Sequence, residues 1–168
     1  QGIVHGTAIT ILNAARKYLG RTSEEGLSGI LYVTSGLGGM SGAQPKAAVI
    51  AGAVCIVAEI DPEPAFKRHS QGWLNELYED LEELTDRAEV AISNGEAVSL
   101  GYLGNIVDLL EFLVDRQITP HLVSDQTSLH NPWLAGYIPV GYTLEEGLIL
   151  IRDNPERFKK LVQESLIR

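Results

Sequence analysis

An apolar run, Ile30-Leu-Tyr-Val33, leads directly into Thr34-Ser-Gly-Leu-Gly-Gly-Met-Ser-Gly-Ala-Gln-Pro45, and that into an alanine-rich stretch, Lys46 to Ala53. The order reads as a buried strand, a glycine-rich turn and a helix, and few architectures accept it. Glycine suits such a turn because a Cβ blocks both a positive φ and the close approach of a pyrophosphate. Backbone N–H groups at the turn and the helix N-terminus then face an anion. Gly36 and Gly38 fill the first two positions of G-x-G-x-x-G, Ser41 falls at the third, and Gly42 comes one step later. The next apolar run, Val54-Cys-Ile-Val-Ala-Glu59, ends in an acid roughly 20 residues on, where ribose hydroxyls are normally held. This predicts a dinucleotide site. The competing reading is a crossover turn with Glu59 a solvated strand end.

The rest of the chain continues the alternation. Val4 to Leu19 reads as a helix stopped by Gly20, with Arg16 and Lys17 suiting its C-terminal end. Asp61-Pro-Glu-Pro64 breaks the chain ahead of a long helical region. There Leu74, Leu77, Tyr78, Leu81, Leu84 and Ala88 recur at spacings of three and four, with Glu76, Asp80, Glu82, Glu83 and Asp86 elsewhere on the wheel. Asn94-Gly95 closes it. Ala97 to Tyr102 is a third strand, Asn105 to Arg116 a helix, and His121 to Ser124 a short fourth strand. Thr143-Leu-Glu-Glu146 is a capping box, and Asn154-Pro155 starts a last helix through Ile167. Strands alternating with helices predict one α/β domain over 1–168, a Rossmann-like parallel sheet with helices on both faces. Residues 143–168 form its C-terminal helices.

Several function classes drop out. A net charge of −9 argues against nucleic acid, whose phosphates need clustered Lys and Arg. No run reaches the roughly 20 apolar residues of a membrane span. The single cysteine, Cys55, precludes an internal disulfide and fits a reducing, cytoplasmic compartment. It lies mid-strand and reads as a small buried apolar residue rather than a nucleophile. His5, His69, His121 and His130 are too scattered to hold a metal. The chain has no G-x-S-x-G elbow, and Ser41 has no evident His–Asp partner. It starts at Gln1 rather than Met with no signal-peptide pattern, so a segment of a longer protein is expected.

In open parallel sheets, ligands bind beyond the carboxyl ends of the strands. The first strand runs into Gly38 to Gly42 and the second ends at Glu59. The third runs into Gly101-Tyr-Leu-Gly-Asn-Ile106, where Asn105 either caps the following helix or bonds a ligand. The fourth runs into Ser124-Asp-Gln-Thr-Ser-Leu-His130, either a binding cluster or a hydrogen-bonded turn. Gly136-Tyr-Ile-Pro-Val-Gly-Tyr142 reads as an aromatic flap or a structural loop.

Taken together, Thr34 to Pro45, Asp125-Gln-Thr-Ser-Leu-His-Asn-Pro132 and Gly136-Tyr-Ile-Pro139 resemble the urocanase family of histidine degradation, and Gln1-Gly-Ile-Val-His-Gly-Thr7 resembles the segment that enters its NAD-binding domain. The resemblance covers essentially the whole chain and implies the central NAD-binding domain alone. It implies NAD contacts at Gly38, Gly39, Met40 and Ser41, at Glu59, at Asn105 and Ile106, at Gln126, Thr127, Ser128, Leu129 and His130, and at Tyr137 and Ile138. Three positions depart from the family pattern. Ser41 and His5 stand where many members have glycine and glutamine, and Pro64 falls at the offset of an arginine, leaving Lys67 and Arg68 as candidates to replace it.

By this resemblance the full-length protein is a hydro-lyase. It is then expected to add water to urocanate to give imidazolone propionate, with tightly held NAD+ serving as an electrophile and no net redox change. The catalytic residues, including the family's cysteine, are expected in a flanking core of the same chain, so the isolated domain is expected to be inactive. A homodimer is expected for the full-length enzyme. Two other functions fit the glycine turn: an NAD-dependent dehydrogenase with His130 as its proton-transfer residue, and a non-catalytic NAD-binding module.

Overall fold

Three strands of five or six residues, β1 (Leu31–Ser35), β2 (Val54–Glu59) and β4 (Val98–Leu103), form the centre of the computed structural model, which describes residues 2–22, 24–125, 133 and 135–168. All but the last residue of β2 and of β4 are buried, as expected for parallel strands covered on both faces. Two shorter strands complete the sheet at its edges, β3 (Glu76–Tyr78) and β5 (Leu122–Val123). The order is β3-β4-β2-β1-β5, with every pairing parallel.

Alternation along β2 sorts the helices onto two faces. Cys55 and Val57 point to one side, where α1 (Gly2–Leu19), α2 (Ala43–Ala51) and α3 (Pro62–Ser70) pack. Val54, Ile56 and Ala58 point to the other, against α4 (Leu81–Asn94), α5 (Ile106–Asp115) and α7 (Pro155–Ile167). Ala47, Ala48 and Ala51 of α2 meet Ala8, Ile11 and Ala15 of α1, so small side chains bring the two helices close. On the opposite face Phe158 and Val162 of α7 are fully buried. The result is the Rossmann-like sheet with helices on both faces that the sequence predicts.

Boundaries hold well for most elements. Strand β2 is found at the predicted residues. The capping box at Thr143 and Glu146 opens α6 (Leu144–Asp153), and Asn154 caps α7. Helix α2 starts at Ala43, ahead of Pro45, and stops at Gly52, whose φ of +92° is open to glycine without strain.

One prediction fails. The long amphipathic helix after Asp61-Pro-Glu-Pro64 is two helices with a strand between them. Asp61 caps α3, which ends before Gly72, and the chain crosses beneath the sheet to form β3. Leu74 and Leu77 then fill the space over Gly101 of β4, where a Cβ would come within 2.7 Å and 2.8 Å of their methyls. Asp80, predicted on a wet helix face, is the N-cap of α4 and accepts from Glu82 and Glu83 N–H. The spacing of three and four is continuous across a loop, β3 and α4 by coincidence. Arg87 of α4 then ties β3 down through Glu76 and reaches Glu96 at the end of the following turn.

Candidate functional site

The helices after β2 and β4 leave on opposite faces: Ala65 of α3 joins Val57 on one, and Leu109 and Leu113 of α5 join Ile56 and Ala58 on the other. Adjacent parallel strands with divergent connections open a crevice at their carboxyl ends. A cavity of about 250 Å³ lies there, bounded by Gly36, Gly38 and Ser41 after β1, Glu59 and Asp61 after β2, and Asn105 after β4. Ala135 to Ile138 complete its wall. The cavity thus gathers three of the four predicted strand ends. No Lys or Arg is among the described residues that line it, so among these the attraction for an anion comes from the backbone.

The glycine turn supplies that attraction. The N–H of Gly36 donates to Ala58 O at 2.8 Å, which pins the start of the turn to β2. Gly36 has a φ of +86° and Gly42 lies too close to its neighbours for a Cβ, so these two positions require glycine. Amides of Gly42, Ala43 and Gln44 are spent on the carbonyls of Gly38, Met40 and Ser41. Hence, of the turn and the helix N-terminus, only the turn has donors left over. Gly38, Gly39, Met40 and Ser41 N–H have no acceptor among the described residues. Four consecutive unspent donors beside the N-terminus of α2 can cradle an anion.

Glu59 lies at the floor, less exposed than a solvated strand end would be. Its Oε2 accepts from Leu37 N–H at 2.7 Å and its Oε1 from Asp61 N–H at 3.0 Å. Burial pushes its carboxyl above the ordinary value, outweighing the amides of Asp61 and Leu37 that pull it down. Each oxygen keeps a lone pair for a ligand hydroxyl.

Arg68 is the residue that sequence reasoning left undecided. It reaches back from α3, with Nε donating to Leu37 O at 3.1 Å and Nη2 to Gly38 O at 2.7 Å. Its guanidinium also lies over the Trp73 ring, 5.2 Å from the centroid, and bonds Gln71. It occupies the space a side chain at Gly42 would need, 2.2 Å from an ideal Cβ. Gly42, one step past the third fingerprint position, thus makes room for a guanidinium. Lys67 makes no bond to the turn among the described residues.

Asn105 does more than either predicted role. Its Oδ1 caps α5 through Val107 N–H at 3.0 Å, and its Nδ2 donates to Ile138 O at 2.8 Å. The 135–138 wall is therefore hung on the end of β4. Ile138 packs on Gly147 of α6, where a Cβ would come within 2.8 Å of its Cδ1. Tyr137 is buried, and its phenol is pushed up to about 12, chiefly by burial and then by Asp125 and Asp108. Gly39 and Met40 stand on the exposed rim rather than in the cavity, and Ile106 lines it. Gln126, Thr127, Ser128, Leu129 and His130 lie outside the described residues.

The fourth strand end is fixed by hydroxyls. Tyr32 donates to Gln44 and so accepts from Ser124 at 2.6 Å, while Ser124 also meets Thr34 at 2.9 Å. Ser35 bonds Asp125. Cys55 is fully buried, and burial raises its thiol pKa. Among the described residues no cluster of His, Cys, Asp or Glu could hold a metal, and no helix is long and apolar enough to cross a membrane.

A family model described as the urocanase Rossmann-like domain matches residues 1–168. The chain is 52% identical over 169 residues to a probable urocanate hydratase of Caenorhabditis elegans and 54% identical over 169 residues to one of Dictyostelium discoideum. It is 52% identical over 173 residues to the urocanate hydratase of Homo sapiens. Each match covers 100% of this chain and 25% of the relative, so the chain spans about a quarter of the length of the curated relatives it matches.

Proposed function

This chain belongs to the urocanase family, and from that premise we propose that it is the NAD-binding domain of a urocanate hydratase. The observation that carries the reading is the row of unspent amides at Gly38 to Ser41, set across a strand-end crevice from the Glu59 carboxylate. Those amides would hold the diphosphate. Glu59 would take ribose hydroxyls through its remaining lone pairs. Ile106, Tyr137 and Ile138 would line an apolar side, with Asn105 holding that side in place. The proposed contacts at Gln126 to His130 belong to the same reading.

When bound, NAD+ supplies an electron-accepting pyridinium for a hydration with no net redox change. This chain's own part is to bind and orient the cofactor and to exclude water from one side of it. We place the proton-transfer groups and the reactive cysteine in a flanking core of the same longer chain, since Cys55 is sealed in the sheet. On this reading residues 1–168 are one domain of a cytoplasmic, homodimeric enzyme acting on urocanate, and the domain alone is inactive. The cavity is small for an entire dinucleotide, which suits a cofactor completed by neighbouring chain.

The test is mass spectrometry of the denatured full-length protein, with titration of the stripped full-length protein by NAD+. Retained or rebound NAD supports the proposal, and a stripped protein that ignores excess NAD+ refutes it. Steady NADH formation by the full-length enzyme with any substrate would favour a dehydrogenase instead.

A further inference from the structure

We infer that Arg68 is a positioning residue for the anion cradle: by holding the carbonyls of Leu37 and Gly38, it turns the N–H groups of Gly38 and Gly39 toward the ligand. The inference rests on the NAD reading above for its ligand but on the turn's own geometry for its mechanism. A trans peptide unit is planar, with its C=O and N–H directed oppositely, and none of the described peptide bonds is cis. The Leu37 carbonyl and the Gly38 N–H belong to one such unit, and the Gly38 carbonyl and the Gly39 N–H to the next. Arg68 Nε fixes the first carbonyl at 3.1 Å and Nη2 the second at 2.7 Å. Aiming two carbonyls at the guanidinium aims two amides away from it.

Two further features suit this role. The guanidinium is itself held, by the Trp73 ring and by Gln71, so the orientation it imposes is not averaged by a free side chain. Gly42 has no Cβ to displace it. A guanidinium also carries two parallel donors in a fixed fork, which a lysine ammonium lacks. Its positive charge lies on the carbonyl side of both peptide units and polarises them in the sense that strengthens their N–H groups as donors.

Arg68→Gln and Arg68→Lys test the inference. Measurements, on the full-length protein, are NAD+ affinity by calorimetry and, without ligand, backbone amide exchange across residues 36 to 58. Arg68→Gln should lose about ten- to a hundredfold in NAD+ affinity, the range for hydrogen bonds to a charged group, and Arg68→Lys should lose less. Exchange at Leu37, whose N–H is bonded to Glu59, should quicken, while α2 and β2 keep their protection. Unchanged NAD+ affinity in both variants would overturn the positioning role and leave the NAD reading standing. Loosening spread over α2 and β2 would also overturn it, since Arg68 would then be a general strut. If the unaltered protein binds no NAD+, the NAD reading fails, and local against global exchange still decides what Arg68 does. Should Arg68→Gln fail to fold, Arg68→Lys carries both measurements.

Discussion

Glu59 and Arg68 grip Leu37 from opposite sides, the carboxylate accepting its N–H and the guanidinium donating to its carbonyl. Two residues from different elements, one ending β2 and the other inside α3, thereby fix both peptide units that flank a single position. The glycine turn owes its shape to this grip as much as to its glycines.

Removing the carboxylate should therefore show in stability as well as binding. Glu59→Ala leaves the N–H groups of Leu37 and Asp61 without their acceptor, at a cost of roughly 1–3 kcal/mol. Urea denaturation without cofactor measures that, and NAD+ affinity should fall by a similar amount. A variant as stable as the parent would mean that water replaces the carboxylate at no cost.

The pH dependence of binding follows from the same group. Burial raises the Glu59 carboxyl above its ordinary 4.5, so the folded protein holds this proton more tightly than the unfolded chain does. Its effect on folding is thus a penalty, fully present above the raised value and relieved as pH falls through it. Cofactor binding runs the other way, because ribose hydroxyls donate to the ionised form. NAD+ affinity should drop on acidification with a midpoint above 4.5, and Glu59→Gln should abolish that midpoint. Calorimetric titration across the acid range checks both.

Glycines in the turn should separate into two kinds. A Cβ at Gly39 meets nothing within 4 Å, whereas one at Gly42 lies 2.2 Å from Arg68 Nε and 2.7 Å from Gly38 O. Gly39→Val should fold as well as the parent yet lose NAD+, since its side chain enters the space a diphosphate needs. Gly42→Ala should cost about 1–3 kcal/mol of stability through overpacking. Thermal melts paired with NAD+ titration distinguish the two.

Asn105→Asp tests whether the 135–138 wall is hung on β4. The carboxylate caps α5 at least as well as the amide does, but it cannot donate to the Ile138 carbonyl and sets a charge against it. Stability should fall by roughly 1–3 kcal/mol despite the sound cap. Denaturant midpoints of Asn105→Asp and Asn105→Ser decide the matter, since both keep a capping acceptor and lose the amide donor to Ile138, but only the former adds the repulsion.

Cys55 should be silent toward thiol reagents in the native protein and react once in denaturant, because β2 buries it completely. A thiol assay with and without urea reads this directly.

Much of this architecture is written locally. The Gly36 turn, the continuous apolar runs of β1 and β2, and the Thr143–Glu146 box each lie within a few residues, where spacing alone reveals them. Strand β3 escaped because three residues with an exposed edge carry little pattern, and Leu74 and Leu77 imitate a helical stripe while packing over Gly101. The convergence of strand ends on one crevice follows from parallel topology, so Glu59 and Asn105 could be singled out in advance. Their partners could not. Arg68 meets a carbonyl 31 positions away, and Asn105 one 33 positions away. No local spacing marks such pairs.

With only two residues, β5 has too short a ladder to define its own alignment, yet Ser124 just beyond it is latched to Tyr32 and Thr34 of the neighbouring strand. Slippage by a single residue would swap that hydroxyl for an apolar Val123 or an acidic Asp125 and undo both latches at once. An edge this brief thus gains the fidelity of a much longer one, and Asp125 is delivered to Ser35 at a predetermined berth.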